Sequence, residues 1–216
     1  YNAGFFAPQK MPTLQGIDLT CIRGDRKLFS GIHFSLDAGG LMQVGGANGS
    51  GKTSLLRMLC GLAIPAHGEI RWGGSEIRSL GGAYYADMTY LGHLSGVKDD
   101  LTTLENLRIS SALAGTEVDA SKAHDALQLM GLGGRELLPA KVLSQGQRRR
   151  VNLARLLVCN TVLWILDEPL TALDAAAVKL MQGVMARHLE KGGMIVMTTH
   201  QEIEIAAAAT QRLQLA

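Results

Sequence analysis

The chain has 216 residues, of which 47% are apolar and 19% are charged, and its formal net charge is +2. This length is sufficient for one domain with a substantial hydrophobic core, and the composition excludes a disordered or collagen-like chain. No segment has the ~20 consecutive apolar residues of a transmembrane helix, and no leader of charged and then apolar residues opens the chain. We therefore expect a protein that neither spans a membrane nor is exported.

Charges of both signs are interspersed along the sequence, which argues against a broad basic face. Without such a face we expect no nucleic-acid partner. We also expect no direct lipid insertion, because each basic residue near an anionic membrane contributes only about 1 kcal/mol. The single basic run is Arg148, Arg149 and Arg150. Either a solvated helix flank or a phosphate contact would account for it.

The beginning of the chain predicts a small antiparallel sheet. Residues 1–10 have no clear periodicity, and we interpret them as an N-terminal extension or an artificial remnant. Apolar and polar residues alternate over 17–21 and over 32–36. This alternation favours two half-buried strands joined by a turn at 23–27.

Three short runs, at 41–44, 162–166 and 194–197, are apolar except for Gln43 and predict strands that are covered on both faces, as in a parallel sheet. Helical periodicity follows the first two runs, so the order of elements indicates an α/β fold. From about residue 102 the pattern changes to short amphipathic helices near 104–113 and 123–130. We interpret 102–158 as a helical lobe inserted into the sheet.

The residues after the first parallel strand carry the pattern GxxxxGK[ST]. The glycines allow a tight turn whose N–H groups face phosphate oxygens, Lys52 adds a positive charge for the β and γ phosphates, and the Thr53 hydroxyl is a ligand for Mg²⁺. A glycine-rich turn without a ligand is the alternative, but the position between a predicted strand and a predicted helix favours a phosphate loop. The eight residues are Gly46, Ala47, Asn48, Gly49, Ser50, Gly51, Lys52 and Thr53.

Two acids, Asp167 and Glu168, follow the apolar run at 162–166. The carboxyl end of a strand in an open α/β sheet borders the ligand crevice. Asp167 would hold Mg²⁺, and Glu168 would orient and deprotonate an attacking water. An acid pair after a strand is often only a solvated loop, but beside a phosphate loop it predicts a nucleotide hydrolase.

A helix is predicted to begin after Ser144. Ser144 and Gln147 match the capping-box pattern S-x-x-Q, so this segment has a purely structural explanation. A helix start with Ser144 and Gly146 also exposes N–H groups that suit a second phosphate contact. Local sequence alone does not separate the two interpretations.

Taken together, residues 11–216 resemble the nucleotide-binding subunits of ABC transporters. The matching elements in chain order are the Walker A loop at 46–53, the signature at 143–147, the Walker B strand at 162–168, the D-loop at 172–174 and the switch histidine His200. A lone histidine such as His200 is also typical of a helix end, but its position after the other four elements favours a functional role.

Within that family, the sequences of several short stretches are similar to those of the ATP-binding subunits of the cytochrome c maturation system. This resemblance implies ATP hydrolysis on the cytoplasmic face of the bacterial inner membrane, coupled through membrane subunits to heme delivery for c-type cytochromes. The stretches are YLGH at 90–93, GVK at 96–98, LENL at 104–107, WILDEP at 164–169, GGM at 192–194 and TTHQ at 198–201.

Three positions depart from the general ABC pattern. His93 stands where most members have a glutamine that contacts Mg²⁺, and imidazole is shorter and titrates near neutrality. Arg23 stands where most members have an aromatic residue that stacks on adenine, and its planar guanidinium could stack instead. Gln145 replaces the commoner glycine of the signature.

The resemblance implies a P-loop NTPase fold with an antiparallel β flap and an inserted helical subdomain, and it implies ATP and Mg²⁺ as cofactors. The implied metal ligands are Thr53 and Asp167, and the implied catalytic residues are Glu168, His200 and Lys52. The implied nucleotide contacts are the eight loop residues with Ser54, and in addition Arg23, His93, Ser144, Gly146 and Asp174.

The implied partners are a second copy of the chain, closing head to tail around ATP, and integral membrane subunits of a cytochrome c maturation complex. The chain would then be peripheral to the inner membrane. The alternatives are a soluble ABC-type ATPase that acts on nucleic acid or ribosomes without membrane partners, and a nucleotide sensor that does not hydrolyse. Glu168 disfavours the sensor.

Overall fold

The computed structural model describes residues 11–93, 96–199 and 203–215, and these ranges fold into two sheets and a set of packed helices. In these ranges the strands are β1 (Leu14–Arg23), β2 (Arg26–Leu36), β3 (Gly40–Gly46), β4 (His67–Trp72), β5 (Ser75–Glu76), β6 (Met88–Leu91), β7 (Leu163–Leu166), β8 (Met194–Thr198) and β9 (Ala209–Leu215). The helices there are α1 (Lys52–Leu59), α2 (Ile77–Leu80), α3 (Gly82–Ala86), α4 (Thr103–Leu113), α5 (Ala120–Leu129), α6 (Gln145–Val158) and α7 (Ala175–Glu190), with a 3-10 turn at Ala140–Val142.

The first sheet is antiparallel and has the strand order β2-β1-β4-β5. The predicted pair of half-buried strands around a turn near Arg23 is confirmed as β1 and β2, although both strands are longer than the alternating segments. β4 and β5 are additions that the sequence pattern did not predict. Because β2 packs against the start of α1, this sheet brings its first hairpin to the loop that follows β3.

The second sheet is parallel and has the order β6-β7-β8-β3-β9. In β7, Leu163 and Ile165 face the core beneath the antiparallel sheet, and Trp164 and Leu166 face the core shared with the helices. Both faces are therefore covered, which explains the continuous apolar run. Since β3, β7 and β8 run in parallel, their carboxyl ends and the residues that follow lie along one edge of the sheet.

Helices α4, α5 and α6 pack on one another and share a hydrophobic core with one face of the parallel sheet, including Leu107, Leu127 and Leu153. The helices predicted near 104–113 and 123–130 are confirmed as α4 and α5. None of the helices in the described ranges is long and apolar enough to cross a bilayer.

Candidate nucleotide-binding site

The loop between β3 and α1 has the backbone conformation that its glycines permit. Gly46 has a φ of 144° and Gly51 a φ of 104°, both in the region that side chains rarely adopt. A Cβ atom on Gly46 would lie 2.4 Å from Ser50 Oγ and 2.7 Å from the Leu215 carbonyl oxygen. A Cβ on Gly51 would lie 3.0 Å from the Phe29 ring of the antiparallel sheet. Close packing on both sides therefore fixes the path of the loop.

Lys52, the first residue of α1, folds back across this loop. Its Nζ atom donates to the carbonyl oxygens of Gly46 and Ala47 at 2.7 and 3.1 Å, and the residue is only 7% exposed. An ammonium group held at the centre of the loop suits the binding of an anion. Ser50 Oγ is also buried and has no hydrogen-bond partner among the described residues, which leaves a polar group for a ligand.

The predicted metal ligands meet at the edge of the sheet. Thr53 Oγ1 donates to Asp167 Oδ2 at 2.9 Å, and Thr198 Oγ1 donates to Asp167 Oδ1 at 2.7 Å. Thr198 Oγ1 also accepts a hydrogen bond from the Glu168 backbone N–H at 2.8 Å. Asp167 is 2% exposed, so these hydroxyls hold its carboxylate in one orientation. The carboxylate and the Thr53 hydroxyl are oxygen ligands of the kind that Mg²⁺ prefers, and the pair fits one shared ion.

Glu168 combines an unusual backbone with a partly exposed carboxylate. Its φ is 49°, a left-handed conformation that costs a non-glycine residue of order 1–3 kcal/mol. Its Oε2 atom lies 4.0 Å from His93 Nδ1 and accepts a hydrogen bond from Thr171 Oγ1 at 3.4 Å. The carboxylate lies beside the buried Asp167 and is 20% exposed, while the His93 side chain is 64% exposed. This placement suits a base that contacts a water molecule.

Arg149 of α6 connects two backbone segments, residues 92–93 and residues 167–168. Its Nη2 atom donates to the carbonyl oxygens of Asp167 and Glu168 at 3.0 and 2.6 Å, and its Nη1 atom donates to those of Gly92 and His93 at 3.2 and 3.4 Å. Burial lowers the pKa of the guanidinium, and the negative charges of Asp167 and Glu168 oppose that shift. Arg149 therefore belongs to the site and not to a solvated helix flank.

The segment around Ser144 forms the predicted capping box. Ser144 Oγ accepts from the Gln147 N–H at 3.3 Å, and Gln147 Oε1 accepts from the Ser144 N–H at 2.9 Å. A Cβ on Gly146 would lie 3.1 Å from the Ala172 carbonyl oxygen, so the start of α6 packs against the loop before α7. The structural interpretation is thus confirmed, and a role of Ser144 and Gly146 in phosphate binding stays a prediction.

Asp174 caps the N-terminus of α7 and connects this helix to α6. Its Oδ1 atom accepts from the Ala177 N–H at 2.8 Å, and its Oδ2 atom forms an ion pair with Arg150. Side-chain oxygens at this position satisfy a free N–H of the first helical turn. Asp174 therefore has a local structural function whatever its role between two copies of the chain.

Arg23 lies at the exposed end of β1, opposite Arg26 across the hairpin. Two residues earlier in the strand Cys21 is buried, and burial raises the pKa of its thiol. Phe29 of the same hairpin lies against Gly51, which places the hairpin that carries Arg23 beside the start of the helix that follows the phosphate loop. The predicted switch residue His200 lies outside the described residues.

Two residues of this site, Thr198 and Arg149, had no assigned role among the sequence predictions, which left Arg149 open between a solvated helix flank and a phosphate contact. Thr198 is a fully buried polar residue at the carboxyl end of an apolar strand, a position that borders the ligand crevice. Arg149 is followed by Asn152, Leu153 and Leu156 at helical spacings of three, four and seven, and all four are buried. That periodicity placed Arg149 on the buried face of α6 and could have identified it.

Residues 29–171 match the family model described as ABC transporter. Among solved structures, the fold is similar to a putative ABC transporter ATP-binding protein from Pyrococcus furiosus, with a TM-score of 0.80, 25% identity, and coverage of 93% of this chain and 97% of that one. It is also similar to the ADP conformation of an ATP-binding cassette of an ABC transporter, with a TM-score of 0.73, 21% identity, and coverage of 90% and 83%. The expected P-loop ABC-type α/β fold is confirmed.

Curated relatives narrow the assignment. The chain is 82% identical over 205 residues to the cytochrome c biogenesis ATP-binding export protein CcmA of Nitrosospira multiformis, covering 95% of this chain and 100% of that protein. It is 61% identical over 208 residues to the protein of the same name from Nitrosomonas europaea, covering 96% and 98%. The chain therefore belongs to the ABC transporter ATP-binding proteins and, within them, to the CcmA family of cytochrome c biogenesis ATP-binding export proteins.

Proposed function

We propose that this chain is the ATP-hydrolysing subunit of an ABC transporter complex in c-type cytochrome biogenesis. It would couple hydrolysis, through membrane subunits, to heme export or to release of a heme-loaded chaperone. The observation that carries the proposal is the 2.9 Å contact between Thr53 and Asp167, which joins the phosphate loop to the acidic strand end in a chain of the CcmA family.

The site residues suggest a division of roles. Lys52 and the N–H groups of the loop would bind the β and γ phosphates, together with the adjacent Ser54. Thr53 and Asp167 would hold Mg²⁺, which supplies positive charge at the phosphate oxygens. Glu168 would accept a proton from the attacking water, and a positioned base of this kind contributes about 10²- to 10⁴-fold in rate. His93 and His200 would orient groups around the γ-phosphate.

One copy of the chain would supply half of each complete site. Ser144 and Gly146 begin a helix whose first N–H groups suit a phosphate of a second copy, and Asp174 would link the two sites of a head-to-tail dimer. We further propose that residues 11–216 form the ATP-binding domain, with a helical subdomain over 102–158 and with 1–10 as an extension. The complex would lie on the cytoplasmic face of the inner membrane, with this chain attached peripherally through integral membrane subunits.

A soluble ABC-type ATPase that acts on nucleic acid or ribosomes is the alternative from another class. High identity to CcmA proteins over nearly the whole chain disfavours it. Purification from detergent-solubilised membranes separates the two functions. Specific integral membrane proteins should accompany the chain in the CcmA role, whereas ribosomal proteins or nucleic acid should accompany it in the alternative.

Complementation tests the proposed function in cells. The gene would replace the native ATP-binding subunit in a bacterium that makes c-type cytochromes, and covalently bound heme would be stained in denaturing gels. The chain should restore the stained cytochromes, whereas Lys52→Ala should not, because it removes the charge at the centre of the phosphate loop. Lys179→Ala, on the exposed surface of α7, is the matched control. Full restoration by Lys52→Ala would contradict the proposal.

A further inference from the structure

Arg149 is a buried charge, and its hydrogen-bond partners among the described residues are backbone carbonyl oxygens, two from each of two segments. One segment contains Asp167 and Glu168, and the other contains Gly92 and His93. A guanidinium group has five N–H donors in a rigid plane, so it can fix several acceptors relative to one another, which a single ammonium cannot do as well. Arg149 therefore sets the relative position of these two segments.

The burial of this side chain is costly and is not an obvious gain in stability. Arg149 is 7% exposed, and its Nε atom has no hydrogen-bond partner among the described residues. Removing a charge from water costs several kcal/mol, which must be offset by its hydrogen bonds and by nearby negative charge. Its neighbour Arg148 instead forms an ion pair with Asp99 at the surface, at 2.5 Å. The contrast indicates that Arg149 has a positional role.

Arg149 acts on the proposed catalytic base through the backbone carbonyl of Glu168. The φ of 49° at Glu168 is unfavourable, and the residue is held by hydrogen bonds on both sides, from its N–H to Thr198 and from Arg149 to its carbonyl oxygen. On the opposite side of the guanidinium, the His93 backbone is held so that its imidazole lies 4.0 Å from the Glu168 carboxylate. Loss of Arg149 would release both backbones at once.

We propose that Arg149 is a positioning residue for ATP hydrolysis, which holds the Glu168 carboxylate and the His93 loop in register with the helix that begins at Ser144. This inference rests on the proposed function, because it assumes that Glu168 activates water. Arg149 touches neither nucleotide nor water in this role. Its effect is therefore on the rate of the chemical step and not on the binding of ATP.

The test compares Arg149→Gln and Arg149→Lys with the unaltered full chain, each purified with the membrane proteins that accompany it. We measure kcat and KM for ATP and the affinity for a nonhydrolysable ATP analogue. Arg149→Gln should lower kcat about 10- to 100-fold, since a shift of 1 Å in a reacting group costs about 10²-fold, while analogue affinity stays within about threefold. Arg149→Lys should recover part of kcat, because it restores the charge but not the planar fork.

Arg148→Gln is the matched control, because it removes an equal charge one residue earlier and breaks only the ion pair with Asp99 and a 3.4 Å hydrogen bond from Nε to the Leu143 carbonyl oxygen. Its kcat should equal that of the unaltered chain. An unchanged kcat in Arg149→Gln, or a parallel loss of kcat and analogue affinity in both Arg149 variants, would overturn the positioning role. If Arg149→Gln does not fold, the same comparison of kcat with affinity in Arg149→Lys decides. Absence of ATP hydrolysis in the unaltered complex would instead contradict the proposed function itself.

Discussion

Thr53 Oγ1 donates a hydrogen bond to Asp167 Oδ2 over 2.9 Å, although the two residues lie 114 positions apart in the chain. The contact exists because β3, β7 and β8 are parallel, which places the residues after each strand along one edge. The two oxygen atoms that we propose as ligands of Mg²⁺ are thereby brought together.

Gly46→Ala should weaken ATP binding strongly. The added Cβ would meet Ser50 Oγ and the Leu215 carbonyl at a φ of 144°, so the loop must move or bear a strain of about 1–3 kcal/mol. Titration with ATP and thermal unfolding measure the effect. Gly183→Ala in α7, where nothing lies within 4 Å of the added atom, is the control and should stabilise the protein by about 0.5–1 kcal/mol. Unaltered ATP affinity in Gly46→Ala would show that the loop does not carry the phosphates.

Asp167→Asn should raise the Mg²⁺ concentration that ATP hydrolysis requires by about tenfold or more, because the side chain loses its charge toward the metal. The amide can still accept a hydrogen bond from Thr53 or Thr198, so the fold should persist. Mg²⁺ titrations of ATP turnover measure the shift, with circular dichroism as the check on folding. An identical Mg²⁺ requirement in the folded variant would exclude Asp167 as a ligand.

Arg23→Ala should weaken ATP binding more than binding of inorganic triphosphate. A guanidinium stacked on adenine contributes about 1 kcal/mol, which corresponds to about fivefold in affinity. Arg26→Ala, directly across the hairpin, removes an equal charge and should affect both ligands alike. Calorimetric titration gives the four affinities. Equal losses of ATP and triphosphate affinity in Arg23→Ala would contradict stacking on the base.

Protonation of His188 should lower the free energy of unfolding in mild acid. Its ring stacks on Trp164 at a centroid distance of 3.7 Å, and burial lowers its pKa. The unfolded chain therefore binds a proton at His188 more readily than the folded chain. The stability that neutral His188 contributes is present above the ordinary histidine pKa of about 6.5, and it is lost as the pH falls from there toward the lower pKa of the folded state. His188→Phe should flatten this fall, by up to about 1.4 kcal/mol per pH unit, in urea unfolding between pH 8 and 5. Equal slopes in both proteins would contradict this origin of the acid sensitivity.

The sequence predicted those parts of the site whose functional residues are contiguous in the chain. The loop at 46–53 and the strand end at Asp167 each occupy contiguous residues between elements of clear periodicity. The run of three arginines left Arg149 open between a solvated helix flank and a phosphate contact, and only the helical spacing of buried residues separates it from Arg148. Contacts between distant segments, such as those of Arg149 with His93 and Glu168, depend on tertiary packing.

The missed strands have a similar explanation. β5, at the edge of the antiparallel sheet, has only two residues, and β4 alternates only over its last four, so both are too short to give a clear signal. β9 is an edge strand whose residues are mostly exposed or half-exposed, so it lacks the apolar run that marked β7 and β8. Its first residue, Ala209, also ends a run of alanines, which favours a helix by intrinsic propensity. Pairing with β3 overrides that propensity.

The most direct test of the proposed mechanism is ATP turnover by Glu168→Gln in the complex with its membrane proteins. The amide keeps the size of the side chain but cannot accept a proton from water. We predict a turnover at least about 100-fold below that of the unaltered complex, with ATP still bound and with ATP-containing dimers of the chain accumulating. Turnover at the rate of the unaltered complex would contradict the assignment of Glu168 as the base and, with it, the proposed mechanism of hydrolysis.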